Sequence, residues 1–202
     1  DFDLTANRGD LLSVLGMAYE VGAIYDKPLK KEVDLSHKEN GEDINNSFKV
    51  EVKTDNCKLF LAKRAENVTI KESPEFIKNR LIASGIRPIN NVVDISNYVM
   101  LELGQPLHFY NADNLEGKLI VRMAEEGEKL TTLDNIERIL TKNDIVISKE
   151  NEAIGLAGVM GGLTTEVEND TKNIIIESAI FDSVLVRIIK EHTWQQKEHV
   201  HY

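Results

Sequence analysis

The chain has almost no cysteine. Cys57 is its only one in 202 residues, which excludes an internal disulfide and any cysteine-rich zinc site. That usage suits a reducing, cytosolic setting, and Cys57 itself reads as a small apolar core side chain. Long apolar runs are missing too: none nears the ~18 residues that a membrane span needs. No signal peptide is visible. The sequence opens mid-motif at Asp1-Phe2-Asp3-Leu4, as an excised fragment would, so missing targeting information says little. There is no internal repeat and no low-complexity tract. No Gly-x-Ser-x-Gly elbow occurs, which argues against a serine-hydrolase triad. Metal-ligand spacings are absent, since His192, His199 and His201 only crowd the polar tail. Positive charge is in deficit: 24 Lys and Arg against 34 Asp and Glu give a net −10. An acidic balance argues against binding along a nucleic-acid duplex. It leaves open a pocket that takes one nucleotide end while other domains hold the phosphates.

What is present fits an ordinary soluble globular protein, with 42% hydrophobic and 29% charged residues. The length allows one sizeable core or two small lobes. Asp10 reads as the N-cap of a first helix carrying Leu11, Leu12, Leu15, Ala18, Val21 and Ile24 at helical spacing, ending near Tyr25-Asp26-Lys27-Pro28. Residues 29–46 are polar and read as a linker. Phe48–Val52 and Leu59–Val68 read as strands. Ser73-Pro74-Glu75 signals a helix start with Ser73 as cap, and Gly85 stops that helix. A second helix is expected over Asn91–Leu103, with Val92, Ile95, Val99 and Leu103 as its apolar stripe and Gly104 as its stop. Strands follow at Lys118–Met123, Asp144–Ser148 and Asn173–Glu177, and a helix at Asp182–Glu191. Helices early and strands late predict α+β rather than a βαβ alternation.

The densest chemistry lies between residues 85 and 110, where Arg87, Asp94, Ser96, Asn97, Glu102, Gln105 and His108 share one amphipathic segment and the turn after it. His108 follows the rigid Gly104-Gln105-Pro106 turn. It is either a structural ring or a proton-transfer group, since imidazole titrates near neutrality when unperturbed. Ser96 and Asn97 are poor helix formers placed mid-helix. They are solvent-facing filler, or a hydroxyl and an amide that hold a water or a carbonyl. Asn97 lies eleven positions before His108, so the two meet only if the Gly-Gln-Pro turn folds back. Arg87 is a surface ion-pair partner or a bidentate fork for a phosphate or carboxylate.

Gly155-Leu156-Ala157-Gly158-Val159-Met160-Gly161-Gly162 lacks the Lys-Ser/Thr ending of a phosphate loop and the spacing of a dinucleotide fold. It reads as a buried turn, with the option of a pocket floor of bare amides. Glu177 follows three isoleucines and precedes Ser178 and Ala179. It either emerges at a strand end or points into a pocket as an acceptor, because an unpaired buried carboxylate is costly.

These tracts together resemble the editing module of the beta subunit of bacterial phenylalanyl-tRNA synthetase, formed by its third and fourth domains. Asn7-Arg8-Gly9-Asp10-Leu11-Leu12-Ser13 is similar to the family's Asn-Arg-x-Asp-x-x-Ser stretch. Asn91-Val92-Val93-Asp94-Ile95-Ser96-Asn97-Tyr98-Val99 with Leu101-Glu102-Leu103-Gly104-Gln105-Pro106-Leu107-His108 is similar to its central block. Gly155–Gly162 and Glu177-Ser178-Ala179-Ile180-Phe181 match two more. The resemblance covers about residues 1–190. It implies a three-layer α+β module, its mixed or antiparallel sheet curved like a half-barrel and flanked by helices. It also implies hydrolysis of tyrosine wrongly joined to phenylalanine tRNA. The domain division it suggests is a helix and linker over 1–46, the editing domain over 47–191, and a disordered tail over 192–202.

Position by position, the resemblance gives His108 the hydrolytic step, with Asn97 and Ser96 beside it; Ser96 stands where a threonine is frequent. Arg87 matches an arginine associated with the tRNA end. Gly158 and Gly161 match backbone positions lining the amino-acid pocket, Glu177 the carboxylate that recognises the tyrosine hydroxyl, and Ala179 a nearby wall. Phe109-Tyr110-Asn111 departs from a common Ala-Phe-Asp, Lys58-Leu59-Phe60 departs from the family's run after Cys57, and the tail from His192 does not continue the pattern. The implied partners are the 3′ end of phenylalanine tRNA, the alpha subunit and the remaining beta-subunit domains of a cytoplasmic heterotetramer, with no membrane. No cofactor is implied for the fragment; ATP and magnesium belong to the complete synthetase. A pocket that hydrogen-bonds a substrate hydroxyl rejects the analogue lacking it by roughly 10⁴–10⁵-fold, which is the physical case for a second, editing pocket. The alternatives are a non-catalytic tRNA-docking or subunit-interface module of the same fold, and a small esterase, which would lack an activated nucleophile.

Overall fold

The computed structural model describes residues 3–30, 36 and 39–198, with side chains described as far as Trp194. Contacts divide the chain into two units: Asp1–Glu42 with Lys71–Leu107, and Asp43–Ile70 with His108–Tyr202. One break falls near residue 42, in the expected linker, and 71–107 groups with the N-terminal part. The linker region expected at 29–46 is only partly within the described residues; it ends in a 3-10 turn, Ile44–Asn46.

The first unit is helical. Helix α1 spans Val14–Ile24, and a 3-10 turn over Gly9–Leu12 precedes it. Its cap is Ser13, not Asp10: Ser13 Oγ accepts from Gly16 N over 3.0 Å. The Asp10 carboxylate is instead held by Arg8, 2.8 Å away. Helix α2 spans Glu75–Ala83. The expected cap Ser73 does not cap it; its hydroxyl donates to Asp94 over 2.5 Å. Helix α3 spans Asn91–Leu103, as the sequence predicts. Asn90 Oδ1 accepts from Val92 N and Val93 N, each at 3.0 Å, and Gly104 ends it in the left-handed region at φ 80°. The expected apolar stripe is only partly buried: Val92 is inside, while Ile95 and Leu103 are exposed. Asp94 sets the helix's phase, since its carboxylate faces inward and is bonded on both oxygens.

The second unit holds the sheets and helix α4. Strands β1 (Lys49–Val52), β4 (Lys118–Met123), β7 (Ile145–Lys149), β8 (Glu152–Leu156) and β9 (Met160–Gly161) form a mixed five-stranded sheet in the order β1-β4-β7-β8-β9. Only β1 and β4 run parallel. Leu119, Ile120 and Val121 on β4 and Ile145, Val146 and Ile147 on β7 are all buried, so these central strands are covered on both faces. A second, antiparallel sheet has the order β2-β10-β3, from Cys57–Ala65, Ile174–Phe181 and His108–Asn111. A small hairpin pairs β5 (Lys129–Thr131) with β6 (Glu137–Ile139). None of the sheets closes into a barrel. The fold is therefore α+β, as expected.

Two sequence expectations shift in this unit. Helix α4 runs Ser183–Glu198, beyond the expected end at Glu191 and into the stretch expected to be a disordered tail. Thr193 explains part of that extension: its hydroxyl donates to Ile189 O over 2.6 Å, and its carbonyl accepts from buried Arg138 over 2.6 Å. His192, in the same turn, lies 3.8 Å from Asp144; His199 and His201 fall outside the described residues. The strand β3 lies where the sequence reading places only a turn after α3, and that strand carries His108. Cys57 is buried in the core, as expected.

Candidate functional site

One face of the β2-β10-β3 sheet gathers three polar side chains. Glu177 sits in β10 with Ala62 opposite on β2 and His108 opposite on β3. Directly opposed residues share a face, and the two-residue period of a strand returns Tyr110 to that face. The Tyr110 hydroxyl donates to Glu177 Oε2. Its ring meets the His108 imidazole edge-on, with centroids 4.5 Å apart and planes at 80°. Tyr110 and Glu177 are buried, at 1% and 7% exposure, and His108 keeps some exposed area.

The electrostatics follow from that burial. Desolvation pushes the Glu177 carboxyl up to about 7, and the Tyr110 hydrogen bond opposes the rise. Tyr110 is raised well above the usual phenol value, by burial first and then by the carboxylate beside it. Burial drives His108 down to about 4. The sequence reading has His108 titrating near neutrality. In the folded chain Glu177 is the group near neutrality, and His108 is a neutral imidazole.

The glycine tract forms the β8–β9 hairpin, pairing Gly155 with Gly161 and Leu156 with Met160. Ala157 and Leu156 are buried, in keeping with a buried turn. Gly161 lies against His108: a Cβ there would stand 2.5 Å from Cε1 and 2.7 Å from Nε2 of the ring. Gly158 is different. It sits at φ 69°, exposed, and a Cβ on it would meet Val186 at 3.2 Å and Phe181 at 3.5 Å. The structure thus brings His108, Glu177 and Gly161 together, with Ala179 two residues past Glu177 on the same strand face. Tyr110 is the member that sequence reasoning missed. Its signal was the spacing from His108, which places two residues on one face only once 108–111 is read as a strand.

The remaining expected residues lie in the first unit. Ser96 and Asn97 are half-buried on α3. The Ser96 hydroxyl donates to Leu107 O over 2.6 Å, so the chain after Gly104 does turn back along the helix. Arg87 is exposed in the segment between α2 and α3. Asp94 anchors that segment, accepting from Ile89 N over 2.8 Å and from Ser73. Among the described residues no group of three or more His, Cys, Asp or Glu is placed to hold a metal, and no helix is long and apolar enough to cross a membrane. A cavity of about 500 Å³ lies at the β1–β2 turn, lined by Val52, Lys53, Thr54, Asp55, Cys57 and Lys58. None of the residues expected at the site lines it.

Comparison with known proteins agrees on the family. A family model described as the B3/4 domain matches residues 56–201. The phenylalanine–tRNA ligase beta subunit of Staphylococcus saprophyticus is 49% identical over 189 residues, covering 93% of this chain and 24% of the relative. That of Dehalococcoides mccartyi is 48% identical, covering 93% and 23%. An N-terminal fragment of the phenylalanyl-tRNA synthetase beta subunit from Pyrococcus horikoshii covers 95% of this chain and 58% of its own, at 15% identity and a TM-score of 0.49. The chain spans about a quarter of the length of the curated relatives it matches. With a family match over most of its length, the chain belongs to the B3/4 domain family found in phenylalanine–tRNA ligase beta subunits.

Proposed function

We propose that this chain is the editing module of a phenylalanine–tRNA ligase beta subunit and hydrolyses the ester of tyrosine mischarged on phenylalanine tRNA. The observation that carries the reading is the buried carboxylate of Glu177, set across the sheet from His108, whose ring lies against the bare backbone of Gly161. Glu177 accepts a hydrogen bond from the hydroxyl of a tyrosine that wrongly occupies the pocket. Phenylalanine offers no such donor and leaves the carboxylate with the Tyr110 hydroxyl alone, a lost hydrogen bond to a buried acceptor that costs about 1–3 kcal/mol. Hydrolysis of an aminoacyl ester needs an oriented water and a polarised carbonyl. His108, neutral at physiological pH, holds the water as a hydrogen-bond partner and takes its proton during attack. Backbone amides of the glycine hairpin offer donors for the developing oxyanion.

Asn97, Ser96 and Arg87 keep the roles that the resemblance implies, at the water or terminal ribose and at the tRNA end. Gly158 and Ala179 are pocket-lining positions on the same footing. The working partners are the 3′ end of phenylalanine tRNA, the alpha subunit and the other beta-subunit domains, in the cytoplasm. This region needs no cofactor of its own, and neither binds ATP nor activates phenylalanine.

A second reading, a tRNA-docking or subunit-interface module without hydrolysis, has one observation in its favour: Tyr110 already donates to Glu177. Release of tyrosine from mischarged tRNA by the full ligase separates the two. The editing reading expects that release to fall in His108→Ala and to lose its preference for tyrosine in Glu177→Ala. No release by the wild type beyond the uncatalysed rate sinks the editing reading, and equal release by wild type and both variants removes His108 and Glu177 from it.

A further inference from the structure

Tyr110 supplies the phenolic hydroxyl already on Glu177. We propose that Tyr110 is a positioning residue for specificity: its hydroxyl holds Glu177 in the orientation and charge state in which the carboxylate reads a substrate's phenolic hydroxyl. The inference rests on the editing reading of Glu177.

The geometry is that of a shared carboxylate. Tyr110 occupies Oε2, and Oε1 is the carboxylate's second acceptor. A carboxylate has two acceptor oxygens, so one can bind the internal phenol while the other receives a substrate's. Tyr110 is itself fixed, 1% exposed and packed edge-on against His108. The side chain it bonds therefore has one orientation rather than several. Glu177 is also a group that burial drives toward protonation. Once protonated it becomes a donor as well as an acceptor, and a phenol hydroxyl is then no longer distinguished by donating. A hydroxyl donated by Tyr110 stabilises the ionised form. Among the described residues, the Tyr110 hydrogen bond is the cause that lowers the carboxyl. Across the sheet on β3 stands His108, which is neutral. Cys57 on β2 is a buried thiol whose own ionisation the Glu177 charge opposes. Arg64, on the Glu177 face of β2 two residues beyond Ala62, is turned to Glu66 at 2.9 Å.

The test uses the full ligase with tRNA charged separately with tyrosine and with phenylalanine, and follows hydrolysis of each from pH 5.5 to 9. In the wild type, preference for the tyrosyl ester rises with pH as Glu177 ionises, with a midpoint near its value of about 7. Tyr110→Phe removes one oxygen and keeps the ring. The preference at pH 7 should fall about tenfold, and the midpoint should move up by about one pH unit, so that preference returns in alkali. Glu177→Gln keeps an acceptor for Tyr110 but cannot ionise, so its preference should be low and flat with pH. A purely structural Tyr110 would lower the rates on both esters together and leave the midpoint in place; that outcome overturns the inference. So does a pH step that persists in Glu177→Gln. Should the wild type not hydrolyse the tyrosyl ester at all, the editing reading fails and takes this inference with it. Hydrolysis by the wild type with an unmoved midpoint in Tyr110→Phe sinks the inference alone.

Discussion

The His108 imidazole occupies the space in which residue 161 would carry a side chain. A Cβ at Gly161 would stand 2.5 Å from His108 Cε1, closer than side-chain atoms pack. The ring is thus seated on backbone, and Tyr110 meets it edge-on. Gly161→Ala must displace the ring or the β8–β9 hairpin. Hydrolysis of the tyrosyl ester by the full ligase should fall by about 10–100-fold, the scale for a misplaced catalytic group. Stability of the chain should drop by about 1–3 kcal/mol. Gly158→Ala strains a positive φ and crowds Val186, so it should cost about 1 kcal/mol in stability. Equal rates for Gly161→Ala and the wild type would show that the ring's seat does not matter.

Glu177→Ala should cost both specificity and stability. The carboxylate is 7% exposed and bonded to Tyr110. Truncation leaves a buried phenol hydroxyl without its acceptor, a loss of about 1–3 kcal/mol in denaturant unfolding. Preference for tyrosine over phenylalanine should fall by a similar free energy in a competition assay. An unchanged preference would make Glu177 a structural partner of Tyr110 alone.

The sequence made some of this legible and hid the rest for physical reasons. Helix α3 was readable because its limits are local: Asn90 caps it and Gly104 ends it. Strands β4 and β7 announced themselves as β-branched runs. Ser73 and Asp10 carry cap chemistry, yet each side chain found a stronger partner nearby, Asp94 and Arg8, so the cap signals misled. The site was half visible. Glu177 and His108 could be named from residue type and resemblance, but their pairing depends on the β3–β10 register, which no local pattern encodes. Tyr110 and the reversed titration order of His108 and Glu177 depend on burial, and that is decided by distant segments.

That titration order predicts an unusual pH dependence of folding. Glu177 is raised from 4.5 to about 7, so its contribution is complete below pH 4.5 and is lost as pH rises through 7. His108 is lowered from 6.5 to about 4, so its contribution is complete above pH 6.5 and is lost as pH falls through 4. Between about 4.5 and 6.5 the two slopes oppose one another. Each is worth about 3 kcal/mol over its window. His108→Gln should therefore make the chain lose stability as pH rises from 4.5 to 7, and Glu177→Gln should make it gain stability as pH rises from 4 to 6.5. Denaturant unfolding at a series of pH values measures both, and parallel curves for the variants and the wild type would contradict the assignment.

Asp94 should matter more to stability than Arg87, and the editing reading expects the reverse for contact with tRNA. Asp94 is 1% exposed and accepts from Ser73 and from Ile89 N. Asp94→Ala strands both donors and should cost about 2–4 kcal/mol, loosening the segment that carries Arg87. Arg87 is exposed, so Arg87→Ala should leave the melting temperature within about a degree or two of wild type. If Arg87 contacts the tRNA end, that variant raises KM for mischarged tRNA in the full ligase. A melting temperature unchanged in Asp94→Ala would refute the anchoring role, and an unchanged KM in Arg87→Ala would refute the tRNA contact.

The role of His108 is decided by the shape of its pH profile as much as by its rate. A resting value of about 4 makes the imidazole a weak base and leaves it unprotonated throughout the neutral range. It still accepts a hydrogen bond from water and can take the proton as attack proceeds. His108→Ala should then slow tyrosyl-ester hydrolysis by about 10²–10⁴-fold, the usual share of a general base. The acid limb that it abolishes should lie near pH 4, well below the neutral region expected of an exposed histidine. Any limb near pH 7 belongs to Glu177, so it should survive His108→Ala and vanish in Glu177→Gln. The competing view gives the water to the tRNA's own ribose hydroxyl and leaves His108 to shape the pocket with Tyr110. On that view His108→Ala keeps most of its rate, and His108→Gln, which preserves bulk and hydrogen bonding, keeps nearly all of it. General-base catalysis requires both variants to be slow, because glutamine can orient a water but cannot accept its proton.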